Sequence, residues 1–276
     1  MKTIAIEKLL TGTMMREGAG VKLYRYIGTT RQNEFDPILL VDFFDSDEAM
    51  DYLGGFPEHP HRGFETVTYL LNGQMEHRDN HDHCGIIGPG DVQWMTAGRG
   101  IIHSEMPKQA QGRLTGLQLW FNLPAANKWV EPRYQEFPAS QLPVESYDSG
   151  LTIKVIAGKT DQGTQSPIHG IATQPIFFDI HLPCHEKWQQ SIPLNHQALL
   201  FVLAGEVNIQ GKVVGERNLA VLSQGTSLIA EGIKDAHCLL IAAEKIKEPI
   251  AWLGPFVMNT QEEVMQALDD YRNNRF

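Results

Sequence analysis

Two pairs of residues spaced for a shared face carry most of the chemistry this chain can offer. His59 and His61 stand two apart in EHPHRGFE (Glu58 to Glu65), and His103 and Glu105 stand two apart in GIIHSE (Gly100 to Glu105). On an extended strand, residues i and i+2 point to the same side. Two such strands laid side by side would therefore aim three imidazoles and one carboxylate at a single point. Glu65 shares the parity of His59 and His61 and competes with Glu105 for the acidic role. A lone histidine reads more readily as a surface or hydrogen-bonded core residue, but two pairs with the same spacing read as a metal site. Three neutral imidazoles and a carboxylate suit a divalent first-row metal. Fe(II) is favoured where coordination positions stay open for small molecules, and zinc is the competing choice, although a structural zinc site would fill its four positions. Manganese, nickel, cobalt and copper complete the candidates.

Six of the 11 histidines, His59, His61, His77, His81, His83 and His103, fall between positions 59 and 103. His77, His81, His83 and Cys84 also look metal-like, yet they sit in the polar stretch EHRDNHDHCG, where Asp79, Asn80 and Asp82 favour a turn. That stretch is expected to be a solvated loop outside the site. Phe64, Trp94, Met95 and Trp120 are candidates for an apolar pocket beside the metal, set against ordinary core packing.

The elements that must hold these residues read as strands. Short apolar segments alternate with Gly, Pro, Asn and Asp through most of the chain, as in antiparallel sheet proteins. Glu65 to Leu71, Leu114 to Leu123, Leu151 to Ala157 and Leu199 to Ala204 are strand-length, so the class is all-β. The exception is the C-terminus, where Thr260 and Glu263 form a capping box ahead of Val264, Leu268 and Tyr271, predicting a helix over about 261–272. YLLNGQMEH (Tyr69 to His77) and FVLAGEVNI (Phe201 to Ile209) form a weak repeat with an offset of 132 residues, each carrying a Gly after an apolar strand. Pro124 to Pro143 carries four prolines and reads as a linker. The domain expectation is thus residues 1–140 and 141–276. At the same offset, positions 59 and 61 fall opposite Ser191 and Pro193, and only Asp235 and His237 stand opposite His103 and Glu105. The second half is expected to be metal-free.

The chain has 276 residues, with 23 Lys+Arg against 33 Asp+Glu and a formal net charge of −10. That balance disfavours direct nucleic-acid binding, and 42% hydrophobic residues suffice for a substantial core. No apolar run approaches the roughly 20 residues of a membrane span, and Glu7 and Lys8 interrupt any signal-peptide core. A cytoplasmic protein is expected. Cys84, Cys184 and Cys238 lie far apart without CxxC spacing and read as reduced, non-catalytic thiols.

HPHRGFETVTYLLNGQMEHRD followed by GPGDVQWMTAGRGIIHSEMP resembles the signature of the pirin family, within the cupin superfamily of small β-barrels. The likeness continues through GLQLWFNLP and EPRY (Gly116 to Tyr134) to GPFV (Gly254 to Val257). It implies a bicupin: an N-terminal metal-binding barrel, a C-terminal metal-free barrel and the short C-terminal helix. The positions matching the family's iron ligands are His59, His61, His103 and Glu105. The general cupin pattern takes its acid a few residues after HxH, where Glu65 stands, so the two glutamates remain alternatives. The longer span from Thr96, Ala97 and Gly98 to His103 is a second departure from that pattern. For part of the family the resemblance implies quercetin 2,3-dioxygenase-type activity, with a flavonol and dioxygen as substrates and Glu105 as catalytic proton acceptor. Its other implication is a regulatory protein that uses iron state as a switch and acts through protein partners.

Overall fold

The computed structural model describes residues 2–30 and 32–276. Nearly every element is a strand, and all pairings between the named strands are antiparallel. Among the described residues the α-helix is Gln261–Arg272, and no helix is long and apolar enough to cross a membrane.

The chain divides into two compact units between Ala139 and Ser140, but the units are not linear halves. Residues 2–12 belong with 140–245, and Ile246–Phe276 belongs with Thr13–Ala139. This corrects the expected ends of 1–140 and 141–276 and moves the C-terminal helix into the first unit. The cause is strand pairing: Ile6–Thr11 pairs with Asn218–Leu222 and so covers a sheet edge that would otherwise be open. At the other end, the Arg62 amide donates to the Pro255 carbonyl and the Val257 amide to the Arg62 carbonyl. The helix behind them keeps both halves of the Thr260–Glu263 capping box and adds a 2.7 Å ion pair between Asp270 and Arg62.

The first unit holds a seven-stranded and a four-stranded sheet. The larger runs Arg133–Phe137, Val92–Thr96, Phe64–Asn72, Leu114–Asn122, Ile38–Ser46, Val21–Ile27, Thr13–Glu17 in spatial order. The smaller runs Phe56–His61, Ile101–Pro107, Met75–Asp79, Cys84–Ile87. Alternation sorts the side chains: on Leu114–Asn122, Leu117, Leu119 and Phe121 are fully buried on one face, while Gln118 and Trp120 take the other.

The second unit is a nine-stranded sheet built around the long strands His196–Ile209 and Ser227–Glu244. Its core includes Phe178, Ile180, Leu200, Val202, Cys238 and Leu240. The repeat seen in the sequence has a backbone cause. Gly73 (φ +87°) turns the chain between two strands, whereas Gly205 (φ +77°) sits at a bulge within His196–Ile209, where a Cβ would stand 2.1 Å from the Asp235 carbonyl oxygen.

Candidate metal centre

The two histidine-bearing segments are neighbouring strands of the four-stranded sheet. Phe56–His61 pairs with Ile101–Pro107 so that His59 lies directly opposite His103 and His61 opposite Ile101. A register shift between His103 and Glu105 then places Glu105 across from Phe56. The three rings converge, with centroids 4.7 Å (His59–His61), 4.5 Å (His59–His103) and 4.9 Å (His61–His103) apart. One nitrogen from each lies within 4.8 Å of the others.

Electrostatics fits this cluster to a cation's ligands and not to cations. Burial pushes His59 down and drives His61 and His103 well below the usual imidazole range, so all three are neutral near pH 7 and present lone pairs. His59 Nδ1 donates to the Pro57 carbonyl at 2.7 Å; since a carbonyl only accepts, Nε2 is left with the lone pair. His61 and His103 are almost wholly buried, and no nitrogen of either has a partner in hydrogen-bond geometry. The Pro255 carbonyl lies close enough to His61 to favour its charged form slightly, but not to bond it. Buried polar atoms without partners are rare and costly, and a divalent ion would satisfy them.

Glu105 and Glu65 are both buried and both pushed up to about 7 by that burial, but they occupy different places. Glu105 lines a cavity of about 330 Å³ together with His59 and His61, just outside the tight group of three nitrogens. Gln118 Nε2 donates to its Oε2 at 3.1 Å, and the Thr68 hydroxyl stands 2.8 Å from its Oε1 and 2.6 Å from Gln118 Oε1. Glu65 is not on the cavity wall and accepts from the Thr96 hydroxyl at 2.7 Å.

The candidate pocket residues divide between the pocket and the ordinary core packing set against it. Of Phe64, Trp94, Met95 and Trp120, only Trp120 lines the cavity. Phe64 backs onto Trp120 and His61, with centroids 4.4 and 5.0 Å away. Trp94 stacks on Phe121, which is on the opposite face from Trp120, and Met95 packs with Ala97 and Ile101. The cavity takes its apolar surface instead from Leu23, Phe44, Phe56 and Trp252. It also holds an ion pair that the sequence reading missed: Arg25 grips Asp42 through two bonds of 2.8 and 2.7 Å. Burial raises Asp42 to about 6 against the pull of that arginine. The available signal was a carboxylate in the middle of the apolar run ILLVDFF.

The stretch from His77 to Cys84 is not all loop. His77 lies on Met75–Asp79, opposite Glu105, fully buried and pushed down to about 3, with Nδ1 3.4 Å from Glu105 Oε1. Pairing with Ile101–Pro107 fixes its parity and turns it inward. His81 and His83 occupy the turn that follows; His83 stacks on Tyr134 and lies 3.1 Å from Glu136. All three cysteines are free thiols, with Cys84 and Cys184 exposed and Cys238 buried. In the second unit, one strand pair gathers Asp179, His181 and His237, with ligand atoms within 4.8 Å of one another.

An all-β chain of two such units, with a cluster of uncharged histidines that could hold a metal ion beside an aromatic cavity, is a bicupin in type. The Pirin family model matches residues 20–121 and that of the pirin C-terminal cupin domain matches residues 177–276. The chain belongs to the pirin family. It is 49% identical over 269 residues to a pirin-like protein of Caulobacter vibrioides, covering 98% of each. It is 42% identical over 272 residues to a Pseudomonas aeruginosa protein provisionally named a quercetin 2,3-dioxygenase, covering 96% of this chain and 95% of that one. The crystal structure of quercetin 2,3-dioxygenase from Acinetobacter baumannii superposes with a TM-score of 0.90 at 30% identity, covering 99% of this chain and 98% of that one.

Proposed function

We propose that His59, His61, His103 and Glu105 hold a divalent metal, iron foremost, and that the protein opens the ring of a flavonol with dioxygen. The observation that carries this reading is the convergence of the neutral imidazoles of His59, His61 and His103, with His59, His61 and Glu105 on the wall of an aromatic cavity. The names of the Pseudomonas relative and the Acinetobacter structure support it.

When bound, the metal supplies Lewis-acid polarisation of the flavonol's adjacent hydroxyl and ketone oxygens. The chain's own residues do the rest. Trp120, Trp252, Phe44 and Phe56 offer flat apolar surface to the fused rings and exclude water. Glu105 is the carboxylate that takes the hydroxyl proton, held in orientation by Gln118 and Thr68. The Arg25–Asp42 pair, with Glu17 beside Arg25, is a further polar feature of the same cavity and faces substrate hydroxyls.

The test uses anaerobically purified protein loaded in turn with iron, manganese, cobalt, nickel, copper or zinc. Loss of the flavonol absorption band, oxygen consumption and carbon monoxide release are followed together. Turnover with at least one metal, absent in His103→Ala, is expected. Fully loaded protein that leaves the flavonol intact would refute the enzymatic reading and favour the regulatory one.

A further inference from the structure

We propose a second divalent-metal site in the other unit, formed by Asp179, His181 and His237 on the outward face of its sheet. Its backbone arrangement repeats that of the first cluster. There, His59 and His61 are i and i+2 on one strand and His103 is the direct cross-strand partner of His59. Here, Asp179 and His181 are i and i+2 on Ile176–Leu182, and His237 on Ser227–Glu244 is the direct partner of His181. Side chains directly opposite on paired strands start about 5 Å apart at Cβ, which suits two imidazoles on one small ion.

Parity fixes the face. Phe178, Ile180, Leu182, Ala236 and Cys238 point into the core, so the residues between them point away from it. His237 is partly exposed and His181 exposed, so an aqueous ion can reach them, while Asp179 is buried. His237 Nε2 lies 2.6 Å from Asp179 Oδ1, and the two imidazoles stack with centroids 4.1 Å apart at 17°. Rotation of the exposed His181 ring brings its nitrogen to the point the other two already share. On binding, the proton that His237 Nε2 shares with Asp179 moves to Nδ1 of the same ring, which frees the Nε2 lone pair for the ion, and water completes the coordination. Lys154, opposite Asp179 on Thr152–Ala157, is a neighbouring cation whose charge opposes that of the metal. Two imidazoles and one carboxylate select a late first-row ion such as zinc over calcium or magnesium, which take oxygen ligands. Alignment on the repeat misses this site because only His237 lies at a corresponding position; Asp179 and His181 come from a different strand.

The experiment counts zinc bound to chelator-stripped, full-length protein by equilibrium dialysis, with Cys84 and Cys184 replaced by serine throughout so that thiols cannot hold the ion. His237→Ala and His181→Ala are each made with and without His103→Ala, and circular dichroism confirms the fold. Each is expected to remove one zinc from its background, or to weaken that zinc by more than roughly tenfold, the lower end of what even an outer partner of a ligand costs. The exposed His181 keeps the test valid if His237→Ala fails to fold. Zinc content unchanged in His181→Ala and His237→Ala would overturn the proposal.

Discussion

Lys128 offers the sharpest test of how the C-terminal segment is fastened beside the metal cluster. Its ammonium is buried and donates to three oxygens: Gly63 O at 2.8 Å, Asn122 Oδ1 at 2.7 Å and Val257 O at 2.8 Å. Gly63 follows His61 by two residues and Val257 follows Pro255 by two, so one side chain ties both segments. Lys128→Met keeps the aliphatic stem and strands three buried acceptors. At about 1 kcal/mol each, the low end for such groups, the loss is about 3 kcal/mol. For a unit of this size that is a fall in Tm of roughly 6–12 °C. The pH dependence has a definite sign. Burial pushes the ammonium from 10.5 down to about 7, so above about pH 7 the folded protein sheds a proton that the unfolded chain keeps. Stability therefore rises with pH in this window, by about 1 kcal/mol between pH 6 and 8 from this group alone. Thermal melts of parent and variant across that range read both effects. A variant melting within about 2 °C of the parent at pH 6, or sharing its full pH slope, would refute the reasoning.

Three further outcomes follow from the cluster itself. His59→Ala or His103→Ala should lose the metal of this cluster while the barrel still folds, since its core is apolar strand residues; metal content equal to the parent's in both variants would sink the ligand assignment. Glu105→Gln should weaken metal binding more than Glu65→Gln does, because only Glu105 stands on the cavity wall with the histidines; a competitor titration showing the reverse order would restore the acid after HxH. Replacing His81 and His83 together with Ala should leave metal content and flavonol turnover within about twofold of the parent, since neither belongs to the histidine cluster or the cavity wall. Loss of metal in that double variant would place the turn inside the site.

The all-β class, the capped helix and the convergence of His59, His61 and His103 were legible because each rests on local pattern. Alternation, a T-x-x-E box and an i, i+2 spacing survive in any tertiary setting. What sequence could not supply was register. His77 looked like part of a polar loop until pairing with Glu105 fixed its face, and Phe64, Trp94 and Met95 stood between pocket and core until their strands were placed. The exchange of chain ends was hidden for the same reason: Ile6–Thr11 and Ile246–Phe276 find their partners more than a hundred residues away.

Register also explains why one backbone device can serve different ends. An i, i+2 pair facing a cross-strand partner fixes three side chains to within a few ångströms without ordering a loop, so the entropy of convergence is met once, by folding. The surroundings then decide what the cluster does. In the first unit, burial keeps the imidazoles neutral at any pH near 7 and leaves His61 and His103 without hydrogen bonds, a cost that only an ion recovers. The adjoining aromatic cavity gives that ion something to act on. On the outward face of the second sheet, His181 is exposed and His237 already bonds Asp179, so the bare cluster is satisfied and any ion must compete with water, Lys154 and that bond. The proposed chemistry belongs to the buried copy, and the proposed reversible binding of a metal to the outward one.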